Sequence, residues 1–320
     1  MSKTKVLVVV PVNEQQRSTL EAAAPQAEFT YESYSSATQQ QVQQAEVIIG
    51  NVTPALLKDA PNLRWMQLNS AGADPYYRSD VLPLEVQLTN ATGAYGLSVS
   101  EYMVAALMSL NRKLHLYRDN QRQNLWQEMG AVRSIEGATI LVVGLGDIGG
   151  DFARKVKAMG ATTIGIRRTQ SEKPAYLDEL YSADALDDLL PRADVVAISV
   201  PGTQDTHHMF DDRRFGLMKQ DSVIINVGRG NVVDTDALCR ALDQGKLWGA
   251  CIDVTEPEPL PADHRLWSYG NVILTPHVAG KFHLAATLDR IVAIATENLG
   301  HYYAGAPMRS MVNRSTGYRK

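Results

Sequence analysis

The run Thr139-Ile140-Leu141-Val142-Val143 leads directly into Gly144-Leu145-Gly146-Asp147-Ile148-Gly149, and an amphipathic stretch, Ile148–Met159, follows. A G-x-G-x-x-G loop can be a plain tight turn. Between a buried strand and a helix it reads instead as a dinucleotide cradle. There Gly144 permits the sharp turn, Gly146 lets the backbone approach a pyrophosphate, and Gly149 lets helix and strand pack closely. Asp147 and Ile148 stand at the helix start, where free N–H groups face the anion.

The end of the next strand selects the nucleotide. An acidic residue there would bind the ribose 2′-hydroxyl of NAD and repel a 2′-phosphate. This chain has Ile166-Arg167-Arg168-Thr169 instead. Two guanidiniums and a hydroxyl suit a phosphate, so the sequence favours NADP over NAD; a solvated basic turn is the alternative.

The rest of the 320 residues repeats the same alternation of short apolar runs and longer amphipathic stretches. In the first part, strands are expected at Lys5–Val10, Glu46–Gly50, Arg64–Leu68 and Val86–Thr89, with helices such as Glu14–Ala24 and Thr38–Ala45 between them. A long helix is expected over Ser98–His115. Beyond Ala138 six strands are expected, near Thr139–Val143, Thr163–Ile166, Val195–Val200, Val223–Asn226, Leu247–Ile252 and Val272–Leu274. This pattern predicts an α/β fold in which a doubly wound parallel sheet binds the dinucleotide and a smaller α/β domain accompanies it. A last helix is expected over about Leu284–Tyr303, followed by a mobile tail.

Composition narrows the partners. A formal net charge of −4 gives no electrostatic reason to expect nucleic acid or an anionic membrane. Val6–Val10 is too short to span a bilayer and no cleavage site follows it, so a soluble cytoplasmic protein is expected. Two cysteines, Cys239 and Cys251, are too few for a disulfide framework and read as core residues. No H-E-x-x-H, C-x-x-C or nucleophile-elbow motif occurs, and no metal is expected. The polar stretch Leu116–Arg133 carries Leu125, Trp126 and Met129; it is either an arm that packs on another subunit or a cover for its own core.

Three segments at later strand ends carry candidate chemistry: Ile225-Asn226-Val227-Gly228-Arg229-Gly230, Ile252-Asp253-Val254-Thr255-Glu256-Pro257-Glu258-Pro259 and Leu274-Thr275-Pro276-His277-Val278-Ala279-Gly280. Ligands of open α/β sheets bind outside the carboxyl ends of the strands, so these loops are expected to converge. With the glycine loop, Ser70-Ala71-Gly72-Ala73-Asp74 and Val200-Pro201-Gly202-Thr203-Gln204-Asp205-Thr206, the ordered set resembles the D-isomer-specific 2-hydroxyacid dehydrogenases, the family that includes glyoxylate/hydroxypyruvate reductases.

The resemblance implies a two-domain oxidoreductase that reduces a small 2-keto acid to the D-2-hydroxy acid with NAD(P)H, and a homodimer. Its smaller, flavodoxin-like substrate domain would comprise residues 1–98 and 285–320, and its Rossmann domain 99–284, with a cleft between them that closes on substrate. Arg229 would bind the substrate carboxylate, and Glu258 with His277 would form the acid/base pair. Ser70, Ala71 and Gly72 would bind substrate through their backbone. Val200, Pro201, Thr206, Val227, Gly228 and Gly280 would line the cofactor, and Asp253 would orient its carboxamide or, alternatively, brace the strand end. The chemistry agrees with these types: a cation orients a carboxylate, and a carboxylate beside histidine favours the imidazolium that donates a proton. Glu258 is preferred to Glu256 because the family's functional carboxylate lies in Pro-Glu-Pro. A non-catalytic nucleotide sensor of the same fold is the alternative. Formate dehydrogenase relatives pair the histidine with glutamine, which Glu258 disfavours, and a scaffold would leave the glycine loop unexplained.

Overall fold

The structure, a computed structural model, describes residues 3–168 and 172–317, which form two compact units: residues 3–95 with 281–317, and residues 96–168 with 172–280. In the first unit, β1 (Thr4–Val8) leads into α1 (Glu14–Ala23) through Asn13, whose side chain accepts from Gln16 N while the Gln16 side chain accepts from Asn13 N. That reciprocal cap satisfies two of the donors a helix start leaves open. Then follow β2 (Ala27–Tyr31), α2 (Gln39–Gln44), β3 (Val47–Ile49), β4 (Trp65–Gln67) and β5 (Gln87–Thr89). All pairings are parallel, in the order β2-β1-β3-β4-β5. One apolar layer, including Leu7, Ile48, Met66 and Leu88, covers one face; another, including Val6, Val8, Ile49 and Trp65, packs on the C-terminal helix Ala285–Ala304. Burial on both faces explains why the end of β1 and all of β3 are continuous apolar runs.

The second unit begins with α3 (Gly96–Asn111) and α4 (Leu114–Arg122). Its sheet comprises β6 (Thr139–Val143), β7 (Thr162–Ile166), β8 (Glu179–Tyr181), β9 (Val195–Ile198), β10 (Ser222–Asn226), β11 (Leu247–Ile252) and β12 (Val272–Leu274), connected in part through α5 (Asp147–Ala158), α6 (Leu186–Leu189), α7 (Asp212–Leu217) and α8 (Thr235–Asp243). The strand order is β12-β11-β10-β9-β6-β7-β8, all parallel. The order reverses between β6 and β9, which is the switch point where a doubly wound sheet opens a crevice. Cys239 and Cys251 are buried in this unit, and burial pushes both thiols up.

The structure corrects four expectations. The second sheet has seven strands rather than six, because β8 forms a short edge beside β7. In the first unit β2 adds an edge that the apolar-run criterion misses. The helix expected over Ser98–His115 stops at Asn111, and the chain turns through Lys113 at φ 56° before α4 begins. The tail is anchored: Val312 N–H donates to Leu88 O at 2.8 Å, and the Arg314 guanidinium donates to the carbonyls of Tyr77, Leu82, Pro83 and Val86. Among the described residues no helix is long and apolar enough to cross a membrane.

Candidate active site

The glycine loop joins β6 to α5 at the switch point. Gly144 adopts φ +98°, and its carbonyl accepts from Ser199 Oγ at 2.8 Å, tying the loop to the end of β9. A Cβ on Gly149 would lie 1.9 Å from Gly144 O, so any side chain there would push helix from strand. Gly146, by contrast, is exposed and has no atom within 4 Å of the position a Cβ would take. The loop thus combines a tight turn, a closely packed helix and an open stretch of backbone at the start of a helix, and these features fit a dinucleotide pyrophosphate. The Asp147 carboxylate is turned away to the start of α3, where it accepts from Gly96 N at 2.7 Å; Ile148 is half-buried beside it.

Gly144 N–H donates to Ile166 O at 3.0 Å, which sets the end of β7 beside the loop. Arg167 follows, half-buried, with its N–H on Tyr181 O, and Arg168 is exposed. Thr169 lies outside the described residues.

The loop after β9 is stitched by Thr206, a buried residue whose hydroxyl donates to Pro201 O at 2.7 Å and accepts from Thr203 N. The loop after β10 fits against it. A Cβ on Gly228 would lie 2.4 Å from Val200 O, and the Arg229 side chain packs beside Gly202. Asn226, fully buried, holds this turn: Oδ1 accepts from Gly228 N and Nδ2 donates to the Arg229 carbonyl. Arg229 is half-buried, with Nη1 donating to Gly228 O at 2.8 Å. Sequence reasoning passed over Asn226, although an asparagine closing an apolar strand two residues before glycine is an Asx-turn signal.

The loops after β11 and β12 complete the arrangement. A Cβ on Gly230 would lie 1.9 Å from Thr255 O, so the Arg229 turn and the Thr255–Pro259 loop run against each other. Glu258 projects from that loop, its Oε1 2.7 Å from Nδ1 of His277, and both side chains are partly exposed. His277 is placed by Asp253. The Asp253 carbonyl accepts from His277 N at 2.8 Å, while its buried carboxylate accepts from Thr275 Oγ1, Val278 N and Ala279 N at 2.6–3.0 Å. Thr275 Oγ1 also lies 2.5 Å from the Tyr102 hydroxyl, a link to α3 that the sequence did not suggest. Gly280 closes this unit, half-buried.

In the other unit, Ser70, Ala71 and Gly72 form a half-buried turn held by asparagines. Asn51 and Asn69 exchange two backbone-to-side-chain hydrogen bonds at 2.6 and 3.0 Å, and Asn90 Nδ2 donates to Ala71 O at 2.7 Å. Ser70 Oγ donates to Gly72 O at 2.7 Å. No metal-ligand motif was expected, yet the fold brings His207, His208 and Glu256 together at the surface.

Comparison with known proteins gives a consistent result. The family model described as D-isomer specific 2-hydroxyacid dehydrogenase, NAD binding domain, matches residues 104–279. A glyoxylate reductase of Thermofilum pendens is 30% identical over 279 residues, covering 84% of this chain and 80% of that protein. A D-isomer specific 2-hydroxyacid dehydrogenase family protein from Aeromonas salmonicida superposes with a TM-score of 0.86 at 34% identity, over 98% of this chain and 100% of that one. The NADPH-dependent glyoxylate/hydroxypyruvate reductase of Sinorhizobium meliloti, solved with NADP and sulfate, superposes with a TM-score of 0.82 at 26% identity, over 99% of this chain and 100% of that one.

Proposed function

Since the chain belongs to the D-isomer-specific 2-hydroxyacid dehydrogenases, we propose that it reduces a small 2-keto acid of the glyoxylate/hydroxypyruvate type to the D-2-hydroxy acid, and runs the reverse reaction, with NADP preferred to NAD. The observation that carries this reading is the Glu258–His277 pair, 2.7 Å apart, in the same unit as the glycine loop and Arg229.

Bound nicotinamide supplies the hydride. The chain's own residues do the rest. Arg229 presents a planar guanidinium that matches the substrate carboxylate and orients the keto carbon. Glu258 accepts from Nδ1–H of His277, so the other ring nitrogen, Nε2, holds the proton that passes to the carbonyl oxygen. In oxidation neutral Nε2 takes the hydroxyl proton. The residue 96–280 unit serves as the dinucleotide-binding domain. Arg167 and Arg168 meet the 2′-phosphate, with Thr169 beside them in sequence.

The protein acts as a cytoplasmic homodimer in this reading. Support comes from the segment after α4, where Leu125 and the fully exposed Trp126 offer apolar area to a second copy; Trp126→Ser should lower the mass measured in solution by light scattering. The functional test is NADPH and NADH oxidation with glyoxylate, hydroxypyruvate and bulkier 2-keto acids. Saturable reduction of at least one small keto acid is expected, and binding of NADPH without turnover of any would overturn the enzymatic reading.

A further inference from the structure

His207 and His208 follow the Pro201–Thr206 turn and are exposed, as is Glu256 in the Thr255–Pro259 loop. Successive side chains normally diverge, but His208 takes φ 46°, and the two imidazoles stack with centroids 4.0 Å apart and planes at 23°. Both direct Nε2 at one oxygen: His208 Nε2 lies 3.0 Å from Glu256 Oε2, and His207 Nε2 lies 3.9 Å from the same atom. One donor atom from each of the three residues lies within 4.8 Å of the others.

We propose that His207, His208 and Glu256 form a surface site for one divalent transition-metal ion of the zinc, cobalt or nickel class. Nitrogen and oxygen ligands bind such ions at about 2.0–2.2 Å, which puts neighbouring donors roughly 3–3.5 Å apart. The observed spacings bracket that range, so closure on an ion requires shifts of about an ångström. Two imidazole nitrogens and a carboxylate oxygen aimed at one point are a complementary donor set for a dication. Two nitrogens and one oxygen favour transition metals over magnesium or calcium, which take oxygen sets.

The backbone holds the donors in place. His208 N–H donates to Asn231 O at 2.7 Å, and the Glu256 carbonyl accepts from Thr235 Oγ1 at 2.9 Å. Three protein ligands leave the remaining positions to water, as in an open site. An ion here would also tie the loop that presents Glu258 to the turn after β9, because Glu256 is two residues from Glu258. Recognition of the ion does not depend on the keto-acid reading.

The test uses the full-length, untagged protein, stripped with chelator and titrated with zinc chloride by calorimetry and with cobalt chloride by visible absorption. One saturable equivalent of zinc and a cobalt ligand-field spectrum are expected. His208→Gly suits the positive φ and removes a ligand, and Glu256→Gln keeps a hydrogen-bonding side chain; each should weaken zinc binding at least tenfold with an unchanged metal-free melting temperature. His277→Ala should bind zinc as the wild type does. No saturable binding below millimolar zinc, equal binding by wild type, His208→Gly and Glu256→Gln, or loss only in His277→Ala would each overturn the proposal. If one variant melts early, His207→Ala gives the same reading from the third ligand.

Discussion

His277 places Nδ1 2.7 Å from Oε1 of Glu258 across 19 residues of sequence, while Glu256, two positions before Glu258, turns to His208. One proline-rich loop thus sends its two carboxylates to different histidines. Only one of these histidines follows a strand end in the company of Asp253, Thr275 and the backbone of Val278 and Ala279.

Glu258→Gln is therefore expected to lower reductive kcat, whereas Glu256→Gln should stay near wild type. General acid–base groups contribute about 10²–10⁴-fold, and His277→Ala should lose an effect of that order. Steady-state rates in both directions check this, and a larger loss for Glu256→Gln would assign the pair to the wrong carboxylate.

Arg229→Ala should reduce kcat/KM for keto acids by roughly 10²–10³-fold, the usual cost of removing a charge-matched contact to the reacting substrate. Dinucleotide affinity should change little. Arg229→Lys should recover only part of the loss, because an ammonium cannot make two parallel hydrogen bonds to a carboxylate. Fluorescence titration with NADPH alongside keto-acid kinetics separates the two effects.

Arg167→Asp should reverse the nucleotide preference, with NADPH weakened by at least about tenfold through lost pairing and new repulsion. NADH should be affected less. Equal kcat/KM for NADPH and NADH in the wild type would remove the basis for a phosphate site at the end of β7.

The parts of the fold that were legible in sequence are those buried on both sides. β6, β10 and β11 are apolar at nearly every position because helices cover both faces of the sheet. β2 and β8 escaped because edges lack that constraint: Glu28 and Thr30 of β2 are exposed, and β8 is three residues long. No glycine or proline marks the break at Lys113. The tail looked free because the five carbonyls that receive Arg314 belong to residues 77–86, far away in sequence. In the candidate site, Arg229, Glu258 and His277 were singled out by loops that follow apolar strands together with the family resemblance. The His207–His208–Glu256 cluster was not, since it depends on one backbone angle and on a contact spanning 48 residues.

Asp178 gives a pH-dependent element of stability. The Lys157 ammonium, then the Thr163 N–H, hold its carboxyl below the usual value near 3.8, joining α5 and β7 to the approach of β8. A carboxyl depressed in the folded state contributes fully above its unfolded value and loses that contribution as pH falls through the interval beneath it. Asp178→Asn should therefore destabilise the protein at neutral pH, and the gap to the wild type should begin to narrow as pH falls below about 3.8. Urea melts from pH 7 down to pH 3 test the narrowing; a difference that does not shrink at all would mean that the aspartate acts through packing alone.

Asp253 carries two readings with separable consequences. As a contact to the cofactor carboxamide, its loss would raise KM for the dinucleotide most. As a brace, its loss would disturb His277. The geometry favours a strong bracing effect, because the carboxylate is 2% exposed and already accepts three hydrogen bonds from Thr275, Val278 and Ala279, while its carbonyl receives His277 N–H. Asparagine fills the same volume but replaces one acceptor oxygen with a donor, which would face a backbone N–H or the Thr275 hydroxyl. Hydrogen bonds to a buried charge are worth about 1.5–3 kcal/mol each, so Asp253→Asn should lower the melting temperature and cut kcat by more than it raises dinucleotide KM. Thr275→Val removes only the hydroxyl between Asp253 and Tyr102 and should produce the same pattern more weakly, by about 1 kcal/mol in stability. If Asp253→Asn instead left kcat and melting unchanged while raising dinucleotide KM severalfold, the carboxylate would be acting on the cofactor, and the three hydrogen bonds to the His277 segment would be incidental to catalysis.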